Sequence, residues 1–367
     1  MDMGFSCGIV GLPRVGKTSI FNALTAAGAQ VGAFTSASAA PNIAQVNVPD
    51  PRLDDLGKAF KSKKITPTTL QFVDVAGLVR GSSKGGGLGN EFLAHIREAD
   101  AVVHVVRCFD DPTVIHEDGA VDPVRDAETI HLELALADLA TVDRRRERII
   151  KQAKSGDAEA KRLLAALESV KAQLEEGRPA REAQLVKEDW PLLHDLHLLT
   201  VKPILYVANV DEGGLDPDHG HARALEALAE REGAKCVRIC GKIEAEMAVL
   251  PEEERAEFME AYGLRESGLA KLIHAGFDLL DLMTYLTAGE KETRAWTITK
   301  GTKAPQAAGK IHSDLERGFI RLEAYAYDDW VTCGRDEKKV KERGLWRSEG
   351  KDYVMQEGDV CLFRFNV

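Results

Sequence analysis

The sequence predicts an α/β protein with a mostly parallel sheet, interrupted by a helical coiled-coil insertion and followed by a small α+β module. Three observations carry this reading. First, Gly11-Leu12-Pro13-Arg14-Val15-Gly16-Lys17-Thr18 stands between an apolar run at 5–10 and the helical pattern Ser19-Ile20-Phe21-Asn22-Ala23-Leu24, the strand, loop, helix order of a parallel βα unit. Second, apolar strand-like runs recur at 70–75, 101–106, 203–208 and 235–240, as the buried strands of such a sheet do. Third, residues 122–176 turn helical and stay so.

The glycine loop dictates chemistry as well as fold. A triphosphate needs several backbone N–H groups brought close together, which favours Gly11 and Gly16 where a Cβ would obstruct. The backbone of Leu12, Pro13, Arg14, Val15 and Gly16, running on into Lys17, Thr18 and Ser19, then forms a P-loop cradle for anionic oxygens at a helix start. Lys17 is placed to reach the β- and γ-phosphates and the Thr18 hydroxyl to ligate Mg²⁺.

Composition bounds the rest. The 367 residues, 44% hydrophobic and 29% charged, suit two or three globular domains. No apolar run approaches the roughly 18 residues of a membrane helix, and Asp2 stands where a signal peptide is basic. Six scattered cysteines suggest reduced thiols and a cytoplasmic location. Cys236 and Cys240 with His219 and His221 form a conceivable metal set, but both cysteines fall in an apolar strand where they can simply pack. A net charge of −11 argues against a uniformly nucleic-acid-coated surface, so any RNA contact is local.

Along the chain, the small, polar stretch 28–42 reads as a switch loop in which Ser38 senses metal and γ-phosphate. Asp74 ends an apolar strand at the carboxyl edge of the sheet, where its carboxylate can hold the metal, and Gly77 offers an amide to a γ-phosphate oxygen. Ras-type hydrolases carry a water-orienting Gln immediately after that glycine; here it is Leu78, so hydrolysis needs another polar group. The candidates are His116, after a strand and an Asp-rich loop, and His95, on a helix over 90–98.

The helical pattern from about 122 onward and a second helix at 157–176, punctuated by Gly156 and Gly177, form two antiparallel arms with one apolar seam. Arg144, Arg145, Arg146 and Arg148 near the tip are either a solvated face or an RNA contact. After the strand at 203–208, Asn209-Val210-Asp211-Glu212 occupies the place of an Asn-Lys-x-Asp guanine reader. A carboxylate accepts from guanine N1–H and the 2-amino group, whereas adenine N1 offers only a lone pair. Glu212 replaces the short Asp and Val210 the Lys, which favours ATP over GTP, and Cys240-Gly241 marks the last base-contacting loop. A helix over 269–286 closes this domain, and strands around a helix at 305–316 with a hairpin at 351–365 make the final module. Lys300, Lys303, Lys310, Arg317 and Arg321 give that module a basic side.

Taken together these residues resemble the YchF (Obg-like ATPase) subfamily of P-loop NTPases over essentially the whole chain. The most specific parts are Asp74-Val75-Ala76-Gly77-Leu78-Val79, Gly87-Leu88-Gly89-Asn90, Asn209-x-x-Glu212, Arg294-Ala295-Trp296-Thr297 and Lys303-Ala304-Pro305-Gln306-Ala307-Ala308-Gly309-Lys310-Ile311-His312. The resemblance implies an ATPase with a coiled-coil insertion, a β-grasp (TGS) module at the C-terminus, association with the ribosome and a role for His116 in hydrolysis. Two departures stand out. Arg14 and Thr18 replace the Asn and Ser of the usual Pro-Asn-Val-Gly-Lys-Ser. In related NTPases that Asn helps hold K⁺, so Arg14 either excludes the ion or substitutes its own charge, and weak potassium dependence is expected. The switch loop keeps Phe34 and Ser38 but lacks the family's second aromatic and its acidic residue.

The expected organisation is an NTPase domain over 1–128 and 200–283, a coiled-coil insertion over 129–199 and a TGS-like domain over 284–367. The expected function is a slow, Mg²⁺-dependent ATPase switch, monomeric, acting with the ribosome or its large subunit and with no membrane. The rivals are an Obg-class GTPase and an ATP-dependent RNA-binding module whose turnover is incidental.

Overall fold

In the computed structural model, residues 5–26, 30–31, 42–75 and 88–366 are described. The chain divides into two compact units, one formed by Met1–Val46 with Gln71–Gly276, the other by Asn47–Leu70 with Phe277–Val367.

The first unit is built on a seven-stranded sheet. Its order is Gln30–Val31, Asn42–Asn47, Thr69–Asp74, Ser6–Val10, Ala101–Arg107, Ile204–Asn209, Lys235–Ile239. From Thr69–Asp74 onward every pairing is parallel. The strands Ala101–Arg107 and Ile204–Asn209 are buried along their whole length, which is why they read as unbroken apolar runs and not as alternating ones. Ser6–Val10 lies in the middle with Thr69–Asp74 on one side and Ala101–Arg107 on the other. Its carboxyl end is therefore a topological switch point, where loops on either side part and leave a crevice.

The helical insertion follows from its caps and its seam. Asp122 caps Pro123–Lys154 by accepting from the Arg125 amide, with Pro at the first helical position. Asp157 caps Ala158–Glu175 through the amides of Glu159 and Ala160. Between the helices Gly156 takes φ +103°, a left-handed turn that favours glycine. Ion pairs from Lys171 to Asp143 at 2.6 Å and from Arg146 to Glu168 run in opposite senses along the two helices, so they are antiparallel. Val142, Ile149, Leu163, Leu167, Val170 and Leu174 fill the seam. At its root the buried Asp138 accepts from the Leu199 and Thr200 amides and the Thr200 hydroxyl, at 2.9, 2.8 and 2.7 Å. This ties the insertion to the point where the chain re-enters the sheet.

The second unit is a six-stranded sheet, in the order Arg347–Glu349, Phe319–Ala326, Asp359–Phe365, Leu282–Thr287, Thr293–Thr299, Ile65–Thr66. Met283, Tyr285, Phe319 and Phe363 pack with the helix Ala304–Ile311 on one side. On the other, Leu286, Tyr325 and Trp330 pack with Leu53 and Leu56 of the helix Pro51–Ala59.

Four expectations change here. Residues 47–70, expected in the NTPase part, belong to this second unit, because the module's sheet has two apolar faces and Leu53 and Leu56 help cover one of them. The helix expected over 269–286 ends at Leu279; Asp281 turns left-handed at φ +51°, and Leu282–Thr287 is a strand. That strand is buried at all but its last residue, which explains an apolar run that periodicity alone could not assign. The helix expected over 305–316 breaks at His312 into Ala304–Ile311 and Ser313–Arg317. The 351–365 hairpin does not form either: Asp359–Phe365 pairs antiparallel with Phe319–Ala326 and parallel with Leu282–Thr287. Among the described residues no helix is long and apolar enough to cross a membrane.

Candidate functional site

The loop after Ser6–Val10 is held in a shape only its own residues permit. A Cβ on Gly11 would lie 2.3 Å from the Val105 carbonyl oxygen, and one on Gly16 would lie 2.1 Å from Asn209 Nδ2. Gly16 also takes φ +95°, so a side chain there is excluded twice. Lys17 opens the helix Lys17–Ala26 and is buried; its ammonium donates to the carbonyls of Gly11 at 2.9 Å and Leu12 at 2.7 Å. Burial pushes its amine down to about 8, with the charge of Asp74 pulling the other way. Burial likewise raises the Asp74 carboxyl, opposed by Lys17 and by a hydrogen bond from Asn42.

Asn209, at the end of its strand, spans the site. Its Nδ2 donates to the Val15 carbonyl at 2.8 Å and its Oδ1 accepts from the Gly241 amide at 3.1 Å. One buried amide thus fixes the phosphate loop to the loop after Lys235–Ile239. Glu212 is exposed and pairs with Lys242 at 2.8 Å.

Around these groups opens a cleft of about 1290 Å³. Arg14, Gly16, Lys17, Thr18 and Ser19 line one wall, Asn209, Val210, Glu212 and Gly241 another, and residues 109–115 a third. That third wall is shaped by Arg107, only 3% exposed, which donates to the carbonyls of Phe109, Asp111 and Val114. Its guanidinium also lies 4.6 Å from the centre of the Phe109 ring.

His116 is absent from the cleft wall. Its Nε2 lies 2.8 Å from Asp126 Oδ2 and its Nδ1 accepts from the Asp118 amide at 3.1 Å. Since Nδ1 is the acceptor, Nε2 carries the proton toward Asp126, and Arg125 sits on the other oxygen of that carboxylate at 3.1 Å.

Comparison with known proteins adds the whole-chain picture. The "Ribosome-binding ATPase YchF" of Haemophilus influenzae is 49% identical over 365 residues, covering 100% of both chains. The chain belongs to the YchF family. The Bacillus subtilis relative of the same name is 49% identical over 367 residues, again covering 100% of each. The solved Schizosaccharomyces pombe structure described as a YchF GTPase superposes with a TM-score of 0.86 at 36% identity, covering 98% of each chain. Residues 6–140 match a family model described as a 50S ribosome-binding GTPase. Residues 282–366 match the YchF-GTPase C-terminal model, described as a protein of unknown function (DUF933).

In this YchF chain the cleft brings together Arg14, Gly16, Lys17, Thr18, Ser19, Asn209, Val210, Glu212 and Gly241 from the sequence reading. Leu12, Val15 and Cys240 are buried behind it, and Pro13 is half-buried in the loop itself. His95 stands on the helix Leu88–Glu98, away from the cleft wall. Ser38, Gly77 and Leu78 lie outside the described residues. Sequence reasoning missed Arg107 and the bracing action of Asn209. An arginine closing the run Ala-Val-Val-His-Val-Val, apolar but for His104, was the available signal for the first; the second joins positions 194 residues apart and left none.

Proposed function

We propose that this chain is an ATP-binding, slowly ATP-hydrolysing switch whose nucleotide state is read by the ribosome. The observation that carries the reading is the pairing of a braced, lysine-bearing phosphate loop with a base wall of Val210 and Glu212 in the same cleft. The loop suits any triphosphate; the wall lacks the short carboxylate and flanking lysine that guanine calls for. The name carried by the bacterial relatives agrees with both halves of the proposal.

In this reading the P-loop amides and Lys17 hold the β- and γ-phosphates. The Thr18 hydroxyl and the Asp74 carboxylate are hard oxygen donors of the kind Mg²⁺ takes, with Ser38 as a third. The exposed Thr18 at the start of its helix and the half-buried Asp74, close enough to Lys17 to alter its charge, fit that ion. Bound Mg²⁺ would offset phosphate charge. His116 is the proposed proton acceptor for the attacking water. Asp126 holds its protonated Nε2, which leaves Nδ1 as the basic nitrogen, and the Asp118 amide must release it first. Arg144 and Arg148, exposed on the helical hairpin, and the basic side of the C-terminal unit are the proposed RNA contacts of a cytoplasmic monomer.

The test is single-turnover hydrolysis of ATP by the full chain with and without ribosomes. The proposal expects a slow basal rate that rises on adding ribosomes. No hydrolysis in either condition, with ATP still bound, would instead support a binding module. A GTPase is the second reading, favoured by the description of the model matching residues 6–140.

A further inference from the structure

Arg14 is the odd cation of the cleft. Lys17 is answered by two carbonyls and Lys242 by Glu212. Arg14 is exposed, donates a single long hydrogen bond of 3.4 Å to the Ile115 carbonyl, and has no ion pair among the described residues. Its backbone sits at φ +62°, a left-handed conformation that costs a side-chain-bearing residue about 1 kcal/mol and that glycine adopts freely. A permanently charged side chain is thus kept, at a strained position three residues before Lys17, on the wall shared with Thr18 and Ser19.

We propose that Arg14 supplies guanidinium charge to the triphosphate as the γ-phosphoryl group departs, doing from within the chain what an arginine of a partner protein does for other phosphate-loop hydrolases. The inference rests on the ATPase reading above. In the step concerned, a water oxygen bonds to the γ-phosphorus while its bond to the β–γ bridging oxygen breaks. That oxygen leaves with the electron pair as part of ADP, and the proton lost by the water passes through a base to solvent. Charge grows on the bridging and γ-oxygens, and five N–H donors in a rigid fork match such oxygens better than an ammonium does. The bond to Ile115 also links the phosphate loop to the 109–115 wall, so the Arg14 side chain can give up a weak carbonyl contact for the γ-oxygens as charge grows on them in the transition state.

The decisive variant is Arg14→Gly, which removes the guanidinium and suits the left-handed backbone, so folding is preserved or improved. ATP affinity by calorimetry and single-turnover hydrolysis are measured on wild type, Arg14→Gly and Arg14→Lys. The proposal expects affinity within about threefold of wild type and hydrolysis at least about 30-fold slower in Arg14→Gly, with Arg14→Lys between. Unchanged hydrolysis in Arg14→Gly overturns it. So does a loss of affinity as large as the loss of rate, which would make Arg14 a ground-state binding residue. If the wild type itself neither binds nor hydrolyses ATP, the ATPase reading fails and not this assignment alone.

Discussion

Asn209 donates to the Val15 carbonyl at 2.8 Å from a position 194 residues further along the chain. Together with its acceptor bond from the Gly241 amide, this makes Asn209 a brace between the phosphate loop and the loop after Lys235–Ile239. Asn209→Ala leaves a carbonyl and an N–H without partners in a buried place, a cost of about 2–4 kcal/mol in stability. The nucleotide consequence is specific: ATP and GTP should weaken by a similar factor, about tenfold or more, because the phosphate loop loses its support whatever the base. Calorimetry with both nucleotides and thermal melting check this. Loss confined to one nucleotide would show that Asn209 reads the base instead.

Lys17 makes the site pH-sensitive. With its amine near 8 in the folded chain and about 10.4 when unfolded, the unfolded state holds more protons between those values. The penalty for burying this charge is therefore fully present below about 8 and fades as pH rises toward 10.4, so this group's contribution to stability grows across that window. Phosphate binding favours the charged amine again. ATP binding at pH 9 should consequently take up close to one proton, and much less at pH 7. Titration calorimetry in two buffers of different ionisation enthalpy reads that number; equal heats in both buffers at pH 9 would contradict it.

Arg107 should matter beyond its burial. Arg107→Lys keeps a charge but cannot bond the carbonyls of Phe109, Asp111 and Val114 together. Expected are a loss of about 2–3 kcal/mol in stability and weaker nucleotide binding through a loosened 109–115 wall. Hydrogen exchange of the amides at 109–115, rising in the variant while the central strands keep their protection, separates this from general destabilisation. Unaltered exchange there would mean that Arg107 does not shape the site.

Asp138 tests the helical hairpin's anchorage. It is fully buried and accepts three bonds at Leu199 and Thr200. Asp138→Ala leaves two amides and a hydroxyl unmet, so a loss of about 3 kcal/mol is expected. Basal ATP affinity should stay within a few-fold of wild type, since no cleft residue is touched. A collapse of ATP binding in a still-folded variant would contradict this division of roles.

How much of this was readable beforehand depends on where the determining contacts lie in the chain. The phosphate loop, its strand and its helix are contiguous, and their residue types state their backbone needs directly. The capped helical hairpin is equally local, with Asp122, Asp157 and Gly156 marking its ends. The strand Leu282–Thr287 was misread because burial on both faces erases the alternation that distinguishes strand from helix. The helix Pro51–Ala59 was assigned to the wrong unit because nothing within it says which apolar face it will cover. The same holds for the site: Lys17 and Thr18 announce themselves, whereas Asn209 as a brace and Arg107 as a clamp acquire their roles only through distant carbonyls.

Adenine-nucleotide binding at this phosphate loop is the property on which the others depend. Its most direct measurement is calorimetric titration of the purified chain, in magnesium buffer, with ATP and with GTP, on wild type and on the double variant Val210→Lys with Glu212→Asp. The wild type should bind ATP at least about tenfold more tightly than GTP, and the double variant should swing toward GTP. Firm binding of GTP by the wild type, with ATP ignored, would contradict it.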